Sequence, residues 1–207
     1  IALDATLTIN VDADYTIVQT RLTRNVVGVI PGGDAKLRDS YVLFGAHYDH
    51  VGYSQTPPQT RFIGAGGNAP GGCVGQVRDT PTPGDVISNG ADDDGSGTVA
   101  IMGIAKAFAT GPKPKRSLLF VWHAGEESGL LGSRYMADYP SVPLDKVAAG
   151  LNIDMVGRNR CDDPKESNTV YVVGSDRIST ELHNLNEEAN SGMEKPMKLD
   201  YEMNDPA

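Results

Sequence analysis

The chain has 207 residues, 39% of them hydrophobic and 22% charged, enough to bury one sizeable core and too few for several full domains. Twenty-seven acidic side chains against 18 basic ones leave a formal net charge of -9, which argues against a nucleic-acid or anionic-membrane surface as the main partner. No apolar run approaches the roughly 18 residues of a membrane span, and Ile1 to Val11 lacks the basic start and unbroken apolar stretch of a signal peptide, so a soluble chain with no membrane span is expected. It begins at Ile1 and stops at Asn204-Asp205-Pro206-Ala207 with no closing helix or strand. One domain over residues 1–207, cut from a longer polypeptide at both ends, is therefore the expected organisation.

Leu3, Ala5, Leu7, Ile9 and Val11 alternate with polar residues, the period of a half-buried strand near a sheet edge. Strands over Ile17 to Leu22 and Asn25 to Ile30 follow before the Pro31-Gly32-Gly33 turn, with antiparallel pairing expected there. From Tyr41 the pattern changes to short unbroken apolar runs, Tyr41 to Ala46, Ser117 to Trp122, Val147 to Ile153 and Thr169 to Val173, which suit strands covered on both faces. Gly64 to Gly84, rich in glycine and proline and containing Cys73, is predicted as a long loop, a surface excursion or a cover over a site. Ser96 is expected to cap a helix with Val99, Met102, Ala105 and Phe108 inward, ended by Thr110-Gly111-Pro112. Leu131, Tyr135, Met136 and Tyr139 mark a second helix stopped by Pro140. A third is predicted from Ser179 to Asn190 with Ile178, Leu182, Leu185 and Ala189 inward. Alternating strands and helices predict an α/β three-layer sandwich, with a mixed, centrally parallel sheet, an antiparallel N-terminal edge and helices on both faces. Cys73 and Cys161 allow one bridge at most, too few for a disulfide scaffold or a thiolate metal site, and their spacing leaves pairing open.

Three of the apolar runs end in groups able to bind a metal: His47-Tyr48-Asp49-His50, His123 followed by Glu126-Glu127, and Asp154. Ligands of open α/β sheets bind beyond the carboxyl ends of the strands, so these groups are expected to converge. Asp92-Asp93-Asp94 opens the Ser96 helix, where the dipole favours carboxylates, and three neighbouring aspartates repel one another unless solvent or a divalent cation relieves them. An EF-hand is excluded, because Gly90 stands at its first position and Ile101 at its twelfth. Histidine with carboxylates favours zinc over magnesium or calcium. Asp49, two residues after His47 on a strand, is placed to accept its second ring N–H. The diverging side chains of Glu126 and Glu127 allow one to bind metal and the other to handle protons, which points to a hydrolase. No dinucleotide loop, nucleophile elbow or His-Glu-x-x-His helix is present.

Gly45-Ala46-His47-Tyr48-Asp49-His50, Asn89-Gly90-Ala91-Asp92-Asp93-Asp94-Gly95-Ser96-Gly97, Glu126-Glu127-Ser128-Gly129-Leu130-Leu131-Gly132-Ser133 and Asn152-Ile153-Asp154-Met155 together resemble successive signatures of the M28 family of zinc peptidases. The resemblance implies a catalytic peptidase domain acting on peptide substrates through two zinc ions, usually by removing an N-terminal residue, in a secreted or periplasmic protein. It implies His47 and Asp154 on one zinc, Glu127 on the other, Asp93 bridging with a cis peptide after it, Glu126 as general base and acid, and Asp49 behind His47. The family's remaining histidine ligand has no match. His183 lies in the predicted third helix and is expected on its surface, and His50 and His123 are expected to be structural or to stand behind the ligands. A histidine beyond Ala207 would complete the set, so these residues alone are expected to hold one ion tightly and the second weakly. A carboxypeptidase of the same family would need Arg158 or Arg160 for the substrate carboxylate. A glutaminyl cyclase of the same fold would usually hold a single zinc, and a receptor-like domain that only binds a partner would have lost ligands. The acidic character of the site favours an aminopeptidase over the carboxypeptidase, the Glu126-Glu127 pair with Asp154 counts against the cyclase, and the four retained ligands count against the receptor-like domain.

Overall fold

The computed structural model describes residues 22–53, 84, 86–159 and 163–201. The strands expected from Leu3 to Val11 and from Ile17 to Arg21, the Gly64 to Gly84 loop except Gly84 itself, and both cysteines lie outside the described residues. In chain order the elements are β1 (Val26–Ile30), β2 (Tyr41–His47), β3 (Gly52–Tyr53), β4 (Ile87–Ser88), α1 (Gly95–Thr110), β5 (Ser117–His123) and α2 (Leu131–Asp138). They continue with β6 (Val147–Asn152), β7 (Thr169–Tyr171), α3 (Ser175–Ile178), α4 (Thr180–Ser191) and β8 (Lys198–Asp200).

The main sheet has the order β1-β5-β2-β6. β5, β2 and β6 run parallel, and β1 closes the edge antiparallel to β5, as the alternation of elements predicted. The core follows from the period of two in β5. Leu118 and Phe120 face one way, onto Ala46 and Ile101, with Ile104 and Ala105 of α1 packed around them. Leu119 and Val121 face the other way, onto Met136 of α2, so helices cover both sides and the layers are helix, sheet, helix. Phe44 stacks on Phe120 at 5.3 Å and Phe120 on Trp122 at 6.3 Å, a ladder of rings across neighbouring parallel strands on the α1 side.

Three details differ from expectation. The cap of α1 is Asp94, whose carboxylate accepts from Gly97 N–H at 2.9 Å, rather than Ser96. With that cap, Gly97, Ile101, Ile104 and Ala105 face the sheet, while Val99 and Met102 are 64% and 56% exposed. Both stripes of this helix are apolar, so periodicity does not choose between them. Close packing does: a Cβ on Gly97 would lie 2.2 Å from the carbonyl oxygen of Ile153, and only the glycine side can sit that near the sheet.

Second, among the described residues β6 is not covered on both faces; its small residues, Ala148, Ala149 and Gly150, lie in the outermost strand of the described sheet, and Leu151 is 40% exposed. The Thr169 run pairs with β8 in a separate two-stranded parallel ladder. Third, α4 lies where the helix was expected and is capped by Ser179, which accepts from Leu182 N–H at 3.2 Å, but Leu185 and Ala189 are exposed, and Leu182, His183, Asn186 and Asn190 take the half-buried side. Polar contacts set that rotation. The Asn190 amide bonds both backbone groups of Met197 at 2.8 and 2.9 Å, and His183 meets Ser175 Oγ at 3.0 Å and the Tyr201 ring. His183 is therefore half-buried in a small polar cluster rather than on the helix surface.

Candidate metal centre

His47 ends β2 and is 3% exposed. Its backbone N–H donates to Asp94 Oδ2 at 3.1 Å, and its carbonyl accepts from the Thr98 hydroxyl at 2.7 Å. Nδ1 lies 2.9 Å from the backbone carbonyl of Asp49. A carbonyl only accepts, so Nδ1 carries the proton and the neutral ring presents the lone pair of Nε2. That nitrogen is 3.1 Å from Asp93 Oδ1, 3.7 Å from Asp154 Oδ2 and 3.9 Å from Glu126 Oε2.

The Asp49 carboxylate does not make the expected bond. Its Oδ1 is 3.8 Å from His47 Nδ1 and instead accepts from the Glu126 N–H at 3.2 Å. β2 stops at His47, so same-side strand geometry does not extend to residue 49, and the main chain orients the ring while the side chain holds the turn bearing Glu126.

The three aspartates before α1 divide their work. Asp94 is 1% exposed, and its carboxylate accepts from the backbone N–H groups of His47, Gly97 and Met155 at 3.1, 2.9 and 3.2 Å. It ties the end of β2, the start of α1 and the segment after Asp154 into one knot. Asp92 Oδ1 accepts from Gly157 N–H at 2.7 Å, and the Ser96 hydroxyl accepts from Val156 N–H at 2.9 Å, pinning the same segment. Asp93 alone turns to the imidazoles, and the Asp93-Asp94 peptide is cis. Sequence reading missed Asp94; its signal was an aspartate three residues before a helical glycine.

On the far side, His50 Nδ1 lies 2.6 Å from Glu127 Oε1 and 3.8 Å from Asp93 Oδ2. Among the described residues, two groups thus bring donor atoms within 4.8 Å of one another: His47, Asp93 and Asp154, and His50, Asp93 and Glu127. Asp93 belongs to both. His123 belongs to neither, and β3 and β4 border a cleft of about 390 Å³ beside His50.

The charges are mutually strained. Burial raises the pKa of Asp154, with Asp93 and Asp92 adding to it and His47 opposing. Burial also raises Glu126, against His47 and with Glu127, Asp154 and Asp93. Asp94 is pushed up to about 6, by burial first and against its three backbone donors. Burial acts to lower His47, but the carboxylates of Asp154 and Asp94, the Asp49 carbonyl and Glu126 outweigh it and leave the pKa raised. Burial, then the charge of His47, lowers that of His123. Imidazole and carboxylate donors converging with no cationic side chain among them suit a divalent metal, and the mixed nitrogen and oxygen set suits zinc.

Fold and cluster define an α/β protein that gathers its ionisable groups beyond the carboxyl ends of parallel strands. The model of Peptidase family M28 matches residues 25–204, and the chain belongs to that family. A probable zinc metalloprotease of Pyrenophora teres f. teres is 32% identical over 152 residues, covering 73% of this chain and 26% of the relative. Leucine aminopeptidase 2 of Arthroderma otae is 30% identical over 167 residues, covering 80% and 24%. The structure of the LapA aminopeptidase of Legionella pneumophila superposes with a TM-score of 0.52 at 28% identity, over 86% of this chain and 36% of that one. The chain spans about a quarter of the length of the curated relatives it matches.

Proposed function

We propose that this chain carries the catalytic core of a zinc-dependent aminopeptidase, with two ions sharing Asp93, His47 and Asp154 on the first and Glu127 on the second. The observation that carries the reading is the approach of His47 Nε2 to Asp93, Asp154 and Glu126, all within 3.9 Å. Zinc, when bound, supplies Lewis-acid polarisation of the scissile carbonyl and lowers the pKa of a water molecule. Glu126, held by its backbone on Asp49, takes the proton of the attacking water and returns it to the leaving amine. Its raised pKa suits a group that must both accept and release a proton near neutrality. Asp49 is a positioning residue, through its carbonyl for His47 and its carboxylate for Glu126. The acidic surround favours a substrate that presents a free N-terminal amine, hence peptides cleaved at that end. Family membership supports a secreted or periplasmic setting; no helix among the described residues is long and apolar enough to cross a membrane.

Chelation followed by metal return tests the reading on aminoacyl-nitroanilides and short peptides. Release of N-terminal residues should stop with chelator and resume with zinc, whereas full activity of a metal-free preparation would overturn it.

A further inference from the structure

We infer that Asn25 is a positioning residue of the centre: its side-chain amide closes the loop that carries Glu126 and Glu127, and so sets where both carboxylates stand. The inference rests on the roles given to those two glutamates above and adds a distant residue that supports them.

Glu126 and Glu127 lie between the end of β5 and the start of α2, in neither element, so their placement depends on how the connecting loop is closed. It is closed in three layers. At the tip, the Glu126 carbonyl accepts from Gly129 N–H at 2.9 Å and from Leu130 N–H at 2.8 Å. Behind it, Leu131 N–H donates to the Gly125 carbonyl at 3.0 Å. At the neck the link is a side chain from another part of the sequence. Asn25 Oδ1 accepts from Ala124 N–H at 3.1 Å, and Asn25 Nδ2 donates to the Gly132 carbonyl at 2.7 Å. One amide thus uses its acceptor on one side of the neck and its donor on the other.

The neck is close-packed as well as bonded. Ala124 is 2% exposed, so its N–H is shielded from water and depends on Asn25 for a partner. A Cβ on Gly132 would lie 2.4 Å from Asn25 Oδ1 and 2.4 Å from the Ala124 carbonyl oxygen, a meeting that only glycine permits. Asn25 is itself anchored: the β1–β5 ladder runs up to Val26 opposite Trp122, and the amide takes over one residue further on. The loop is therefore held from two sides, by Asp49 Oδ1 on Glu126 N–H at 3.2 Å from the end of β2 and by Asn25 from the start of β1. With Asp49 alone it can pivot about that contact, and a displacement of about 1 Å at a reacting group can cost about 10²-fold in rate.

Hydrogen exchange of the chain, combined with hydrolysis of aminoacyl-nitroanilides at saturating zinc, tests this on two variants. Asn25→Leu keeps the size and loses both bonds; Asn25→Asp keeps the acceptor and loses the donor. In Asn25→Leu, exchange should quicken at least about tenfold at the Ala124, Leu130 and Leu131 amides and stay as in the wild type along β2. In Asn25→Asp, Ala124 should stay protected while Leu130 and Leu131 quicken. With bound zinc equal, kcat of Asn25→Leu should fall about 10 to 10²-fold and KM should change little. A merely structural role would lower the unfolding midpoint and leave loop exchange and kcat per folded molecule at wild-type values, and that result overturns the inference. If Asn25→Leu does not fold, wild-type exchange at Leu130 and Leu131 in Asn25→Asp overturns it instead. If the zinc-loaded wild type hydrolyses no peptide, the aminopeptidase reading falls, and the exchange pattern alone decides for or against the clamp.

Discussion

The two halves of the centre are built by different means. Around His47 the main chain does the orienting: a carbonyl fixes the ring proton, a buried carboxylate takes the backbone N–H, and a threonine hydroxyl takes the carbonyl. Around His50 side chains face one another directly, and Nδ1 has no hydrogen-bond partner among the described residues. The first half is preorganised by the same bonds that join β2 to α1. The second leaves an imidazole and a carboxylate in direct contact.

The widest gap between the halves should appear with the two neighbouring glutamates. Glu126→Gln keeps size and polarity but cannot accept a proton, so turnover should fall about 10² to 10⁴-fold with zinc content unchanged. Glu127→Gln should lose zinc from the His50 side. A loss of zinc in Glu126→Gln with turnover per zinc intact would exchange the two roles.

Asp94→Ala should come next. Three backbone donors lose a buried charged acceptor, and hydrogen bonds to charged groups contribute about 1.5 to 3 kcal/mol, so a destabilisation of about 3 kcal/mol is expected in urea unfolding. The His47 side should lose more zinc affinity than the His50 side, and equal losses would show that the knot serves both.

A smaller effect should accompany pH in the metal-free chain. Asp94, Asp154 and Glu126 have raised pKa values in the folded state, so between their unfolded and folded values the native state binds more protons and stability falls as pH rises. The raised His47 acts in the same sense and the lowered His123 against it. For Asp94 the window runs from 3.8 to about 6. The thermal midpoint of apo protein should drop from about pH 4.5 to about pH 6.5, and zinc should remove most of that drop; an apo midpoint that climbs over this range would contradict the crowded-carboxylate picture.

The smallest change expected is Thr98→Val, which deletes the bond to the His47 carbonyl at about 1 kcal/mol. Its first-site zinc affinity should move slightly and its second not at all, as titration would show.

Much of this arrangement was readable beforehand, for a physical reason. Strands buried between helices must be apolar, so Tyr41–His47 and Ser117–His123 stand out, and the first polar residues after them are where a sheet delivers its chemistry. Other features depend on contacts between distant segments. The face of α1 was hidden because Val99 and Met102 are as apolar as Ile101 and Ile104, and close approach at Gly97 decides between them. The partner of His47 was misplaced because the strand ends at His47, two residues before Asp49, so Asp49 is not held on the same side. Asp94 looked like one more acid in a run until two of its three bonds tied it to segments about 50 to 60 positions away.

The ring ladder across β2 and β5 has a practical consequence. Trp122 is the only tryptophan in the chain, and its indole N–H donates at 3.2 Å to the carbonyl of Thr98, the residue whose hydroxyl secures His47. The protein thus contains its own optical reporter. Tryptophan emission follows the seam between helix and sheet two hydrogen bonds from the first metal position, so filling of that position can be watched in unlabelled protein as it happens.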